Sequence, residues 1–166
     1  MLTIQNTLFF LSTLLCALIT GLLYGYACSV NPGLNKLPDL WYLKAMQSIN
    51  HEIQNPVFFI SFFGTVLILP LTTWYTYYHA SSAAFYFLLS ASILYLIGVL
   101  GVSVFGNIPL NESLAVFNID SANPGELSHQ RDLFEARWNR YHILRTVCSL
   151  ISLIFTIAAI IKYYAK

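Results

Sequence analysis

The chain has 166 residues, 57% of them hydrophobic and 9% charged; soluble domains run nearer about 45–50% and about 25%, so there is too little charge here to clothe a water-facing surface. A net charge of +1 supplies neither a basic field for nucleic acid nor an acidic tail, which argues against RNA or DNA as a partner. Aromatic residues make up 16% of the chain, a bias that suits lipid contact, membrane interfaces and a pocket for a small apolar or aromatic molecule.

Residues 7–30 form the first apolar run, longer than the roughly 20 residues that cross a hydrocarbon core. The stretch ahead of it carries no Lys or Arg and the run is too long for a signal-peptide core, so it reads as a retained transmembrane helix. Ala17, Gly21, Gly25 and Ser29 recur every fourth residue, a small-residue stripe expected to pack against another helix of the same bundle. Pro32, Gly33 and Pro38 are expected to break this helix and turn the chain. Asp39 is then the expected N-cap of a short helix ending near residue 53. Met46, Ile49 and Ile53 share one face of it, and Gln47, Asn50 and Gln54 another. That polar face reads equally well as the solvated side of an interfacial brace or as a cavity wall.

Pro56 opens the second span, residues 56–78, at a first-turn position where its missing N–H is harmless. Pro70 interrupts the ladder inside it, and Trp74, Tyr75, Tyr77 and Tyr78 form an interfacial belt at its far end. Only residues 79–82 separate it from the third span, 83–105, so the two form an antiparallel hairpin, with Gly98 and Gly101 offering close approach. Gly106 and Pro109 are expected to end the third helix. Residues 118–125 are turn-rich, and a last amphipathic helix starting near Glu126 runs into the fourth span, 142–163. The expected fold is all-α: a four-helix transmembrane bundle, residues 1–166 forming one integral membrane domain, with interfacial helices in the first and third connections. Four crossings put residues 31–55 and 106–141 on one side. Lys36, Lys44, Arg131, Arg137, Arg140 and Arg145 gather there, which by the loop-charge rule places that end in the cytoplasm.

At about 100° per residue, Arg131, Trp138, His142, Arg145 and Ser149 fall within one helical stripe, with Glu135 beside it. Ionisable groups entering the membrane boundary are costly unless they face a polar cavity or a partner. Gln47, Asn50, Asn107, Asn111, Trp138, His142 and Arg145 are therefore expected around one cavity at the polar end. A neutral imidazole takes a proton near pH 7, a neighbouring guanidinium holds the resulting anion, and amides orient oxygens without adding charge. The alternative is structural: His142 and Arg145 bond to loop carbonyls and lock the long connections together. In either case Arg145 is expected to hold a carboxylate or carbonyl and to matter far more for stability than Arg140.

Other chemistries find no support. Cys16, Cys28 and Cys148 lack CxxC spacing, and there is no HExxH, Walker loop, GxGxxG or GxSxG, so no metal or nucleotide cofactor is implied.

The ordered set MQxIN (Met46, Gln47, Ile49, Asn50), NP (Asn55, Pro56), GNxPLNxxL (Gly106, Asn107, Pro109, Leu110, Asn111, Leu114) and WNxxHxxRT (Trp138, Asn139, His142, Arg145, Thr146) resembles the anthrone-oxygenase-like family of small four-helix membrane proteins. The resemblance implies a membrane-embedded oxygenase that needs no cofactor and converts an anthrone-like or phenolic compound with molecular oxygen. It implies His142 as general base and Arg145 as anion holder. Asn50, Asn107, Asn111 and Gln47 would hold substrate oxygens, and Trp138 would form an aromatic wall. The competing expectation is a non-catalytic membrane protein whose polar cap binds a lipid, a quinone or a partner subunit.

Overall fold

A computed structural model describes residues 3–79 and 82–165. The described residues form five helices: α1 (Ile4–Leu34), α2 (Asp39–Glu52), α3 (Pro56–His79), α4 (Ala83–Ala115) and α5 (Pro124–Tyr164). No strand occurs among the described residues. All but α2 are long and apolar enough to cross a membrane, and the chain is a multi-pass integral membrane protein. Neighbour contacts close the spans into a ring in the order α1, α3, α4, α5. The link between α3 and α4 falls on Ala80 and Ser81, outside the described residues.

Helix starts follow local chemistry. Asn55 Oδ1 accepts from the Phe58 N–H at 3.0 Å at the start of α3. Asn123 and Glu126 form a reciprocal capping box at the start of α5. The α2 cap differs from expectation: Pro38 is the capping residue and Asp39 the first helical one, its carboxylate accepting from Arg131 at 3.0 Å.

Two proline breaks expected from the sequence are absent. α1 runs through Pro32 and Gly33 to Leu34, and α4 runs through Gly106 and Pro109 to Ala115. The ladder widens to π-helical geometry just before each proline, at Tyr26–Val30 in α1 and at Leu94–Gly101 and Ser103–Asn107 in α4. The Asn31 N–H bonds the Tyr26 carbonyl and the Ile108 N–H bonds the Ser103 carbonyl, each five residues back. Each proline then sits in the first turn of the α-helical segment that resumes, where a missing N–H and a fixed φ are tolerated. The helical pieces of the third connection are thus extensions of α4 and α5.

The small-residue stripe of α1 does not face the bundle as expected. A methyl at Gly21 or Gly25 would meet no atom within 4 Å. Close approach occurs instead at Gly98, where a Cβ would lie 2.6 Å from that of Cys148, and at Gly64, where it would lie 2.9 Å from Leu15 Cδ1. Gly101 approaches only a carbonyl of its own helix, at 3.5 Å. Between helices, hydroxyls pair in the dry interior: Ser12 with Thr72 at 2.7 Å, Thr73 with Ser92 at 2.8 Å, and Thr20 with Ser149 at 3.0 Å. In lipid such pairs contribute about 0.6 kcal/mol each, and they fix helix register more than they hold the bundle together. At the α2 end, a separate core of Tyr42, Leu43, Met46, Leu114, Ile119, Phe134 and Trp138 docks α2 against α4 and α5.

Candidate functional site

At that end the five helices enclose a cavity of about 880 Å³, within the usual range of ligand pockets. Gln47, Asn50, Asn107, Asn111, Trp138, His142 and Arg145 all line it. The four-residue spacing on α5 sets up a ladder of rings. Trp138 and His142 stack with centroids 5.0 Å apart and planes 7° from parallel, and Phe134 continues the stack 6.2 Å from Trp138. Arg145 lies over the Trp138 ring, its Cζ 5.5 Å from the centroid.

His142 is 1% exposed and bonded at both nitrogens. Arg145 Nη2 donates to Nδ1 at 3.1 Å, and Nε2 lies 3.1 Å from the Leu23 carbonyl oxygen. A guanidinium only donates and a carbonyl only accepts, so Nδ1 carries the lone pair and Nε2 the proton. His142 is therefore a neutral imidazole whose only basic nitrogen is covered by Arg145. Leu23 presents its carbonyl one residue-pair ahead of the π-helical segment of α1, and Ser103 and Asn107 lie in that of α4.

Arg145 does not hold a carboxylate, contrary to expectation. Among the described residues its hydrogen-bond partners are His142 Nδ1 and Ser103 Oγ, the latter at 3.3 Å, and its Nε is buried with no partner. Among the described residues the Arg145 guanidinium makes no ion pair.

The amides divide into two kinds. Asn111 Oδ1 accepts from the Trp138 indole N–H at 2.8 Å, while Asn107 Nδ2 donates to the Trp138 carbonyl at 3.1 Å. Together they pin Trp138 from its side chain and its backbone. Gln47 uses its amide N–H groups on the Leu114 and Phe117 carbonyls, at 2.7 and 3.0 Å, tying α2 to the end of α4. By contrast, Asn107 Oδ1 and Asn50 Nδ2 are buried and have no partner among the described residues. A buried polar atom without a hydrogen bond costs about 1–3 kcal/mol. Three such atoms, Asn50 Nδ2, Asn107 Oδ1 and Arg145 Nε, belong to residues that line this one cavity.

Sequence reasoning missed two parts of the wall. Tyr26 lines the cavity with its ring 5.7 Å from His142 and 6.2 Å from Trp138. Phe58, Phe59, Phe62 and Phe63 line the α1–α3 side. The doubled Phe pairs, four residues apart, were the available signal, but in an apolar span they look like lipid contacts. Among the described residues no three His, Cys, Asp or Glu side chains gather closely enough to hold a metal ion; beside the amides, the Arg145 guanidinium and the His142 imidazole, the lining includes Lys44, His51, Glu112 and Asp120.

A family model described as anthrone oxygenase matches residues 57–155, more than half of the chain. That stretch contains Asn107, Asn111, Trp138, His142 and Arg145, while Gln47 and Asn50 precede it. No curated protein and no solved structure matches the chain.

Proposed function

The chain belongs to the anthrone oxygenase family, and from that premise we propose that it is a membrane-embedded oxygenase acting on a small planar phenolic compound. One observation carries the reading: Asn50 Nδ2, Asn107 Oδ1 and Arg145 Nε, buried and unpartnered, belong to lining residues of one cavity walled by aromatic rings. Two donors and an acceptor suit a ring system bearing hydroxyl and carbonyl oxygens. The rings of Trp138 and Tyr26 supply flat apolar contact.

In the proposed reaction a methylene between two aryl rings becomes a carbonyl. Its two C–H bonds and the O–O bond of dioxygen break; one oxygen stays on carbon and the other leaves as water, dioxygen taking up the four electrons. His142 Nδ1 accepts the first proton, giving a delocalised carbanion whose charge sits largely on a phenolic or enolic oxygen. Because Nδ1 is covered by Arg145 in the resting site, substrate must first draw the guanidinium to its own oxygen. The same movement frees the base and places a cation beside the developing oxyanion. Dioxygen then adds at the carbanion carbon, the peroxide anion takes the proton back from His142, and loss of water from the hydroperoxide completes the carbonyl.

The test is oxygen uptake and anthraquinone formation from an anthrone by the purified protein in lipid nanodiscs. Turnover is expected to survive chelator treatment. His142→Ala is expected to retain its fold and lose about 10²–10⁴-fold in rate, the usual effect of removing a general base. Chelator-sensitive turnover would move the chemistry to a metal. A second reading is favoured by the two occupied nitrogens of His142: the imidazole locks α1 to α5, and the cavity only binds its ligand. On that reading anthrones are not consumed, and folded His142→Ala still binds a hydroxyanthraquinone.

A further inference from the structure

The cavity wall continues onto the lipid-facing surface of the bundle. Four large apolar lining side chains are also exposed: Leu22 of α1 at 36%, Phe59 and Phe63 of α3 at 40% and 48%, and, nearer the polar end, Ile108 of α4 at 43%. Depth follows from helix geometry. With the Trp74–Tyr78 belt at the far interface, Phe63 and Phe59 lie about 16 and about 22 Å along α3, at about 1.5 Å per residue, inside a hydrocarbon core of about 30 Å. α1 and α3 close tightly where Gly64 meets Leu15. On the site side of that contact the same two helices carry cavity wall, with Phe58 stacked 5.3 Å from Phe62 and Phe59 5.9 Å from Phe63. The water-facing rim is of opposite character. Lys44 and Asp120 cross it as a 2.5 Å ion pair, and Gln47 ties its two sides together.

We propose that the cavity takes its ligand sideways from the bilayer, through a portal between α1 and α3 bounded by Leu22, Phe59 and Phe63. The portal rests on the planar phenolic ligand proposed above and adds its route and class: aromatic compounds that partition into membranes. Such a compound moves from lipid along the rings of Phe63 and Phe59 without being rehydrated. Its oxygens then meet Asn50, Asn107 and Arg145 at the inner end. Polar phenols confined to water face the charged rim instead and are poor ligands.

The test uses the full chain in nanodiscs with Trp41→Phe and Trp74→Phe, so that quenching reports Trp138 alone, and with Cys28→Ser and Cys148→Ala. The probe is a hydroxyanthraquinone fixed to a phospholipid acyl chain, compared with the same compound free in solution. The tethered probe is expected to quench Trp138 saturably. A bulky maleimide on Phe63→Cys, or on Leu22→Cys should the first variant fold poorly, is expected to weaken that binding by about tenfold or more. The same label on Asp120→Cys at the aqueous rim is expected to leave it unchanged. Quenching by the free probe but not the tethered one, or blockage from Asp120→Cys alone, overturns the portal. If the free probe also fails, the planar-ligand reading falls with it. If the tethered probe binds but anthrones are never consumed, the portal stands and the catalytic reading falls.

Discussion

Arg131 and Arg145 stand about four turns apart on α5, and they are used in opposite ways. Arg131 donates to Glu135 at 2.6 Å, to Asp39 at 3.0 Å and to the Leu37 and Asn35 carbonyls at 2.7 and 2.9 Å. It also lies 4.4 Å from the Tyr42 ring centroid. Burial pushes the Tyr42 phenol well above its ordinary pKa, with Glu135 adding to the shift, so the ring under the guanidinium stays neutral. Arg145 has one nitrogen base, one hydroxyl and one ring for partners, no carboxylate, and a buried Nε left over. A cation whose three nitrogens all bond within the protein is a clasp. Arg145 keeps a spare donor on a residue that lines the cavity, and the proposed ligand contact rests on that donor. Both are half-buried arginines on the same helix, and their partners tell them apart.

Removing each one separates the roles. Arg131→Ala is expected to give the largest loss of stability, about 3–5 kcal/mol, because Glu135 loses its charge partner, keeping only the Asn35 amide, and two turn carbonyls lose their donor. Unfolding in detergent measures it, and the surviving folded fraction should bind hydroxyanthraquinone normally. Arg145→Met keeps an apolar stem on Trp138 and strands only His142 Nδ1 and no carboxylate, so its unfolding midpoint should fall less than that of Arg131→Ala. Its ligand binding should instead weaken by about 1.5–3 kcal/mol, the range for a hydrogen bond to a charged group. An Arg145→Met protein as unstable as Arg131→Ala would erase the distinction between clasp and site. The smallest effect belongs to Arg140, which is exposed and makes no ion pair among the described residues. Arg140→Ala should change stability by no more than about 0.5 kcal/mol, as surface substitutions do.

Much of this arrangement was legible beforehand. The stripe of Trp138, His142 and Arg145 follows from helical period, and the gathering of Asn50, Asn107 and Asn111 with it follows from counting crossings. The individual assignments within that set were not legible. Asn111 and Asn107 look alike in sequence, yet Asn111 Oδ1 is taken up by the Trp138 indole while Asn107 Oδ1 is left free, since the choice depends on which atom reaches across from α4 to α5. Gln47 was grouped with the ligand-facing amides and serves as a tie between α2 and α4. Gly21 and Gly25 share the spacing of a packing stripe, but spacing states which residues share a face and not where that face points.

The sequence by itself determined the solvent and therefore the architecture, because apolar runs longer than about 20 residues have no stable alternative in lipid to internally bonded helices. It also determined which end of the bundle carries polar chemistry, since charges and amides are excluded from the spans. The tertiary structure alone decided how the backbone passes Pro32 and Pro109, through π-helical segments whose hydrogen-bond register leaves no mark in side-chain pattern. It alone decided that His142 is covered by Arg145, and that Phe59 and Phe63 line the cavity while remaining exposed. Those outcomes depend on distances between helices, and a hydrogen bond or an opening is a property of two surfaces meeting, which no single stretch of sequence contains.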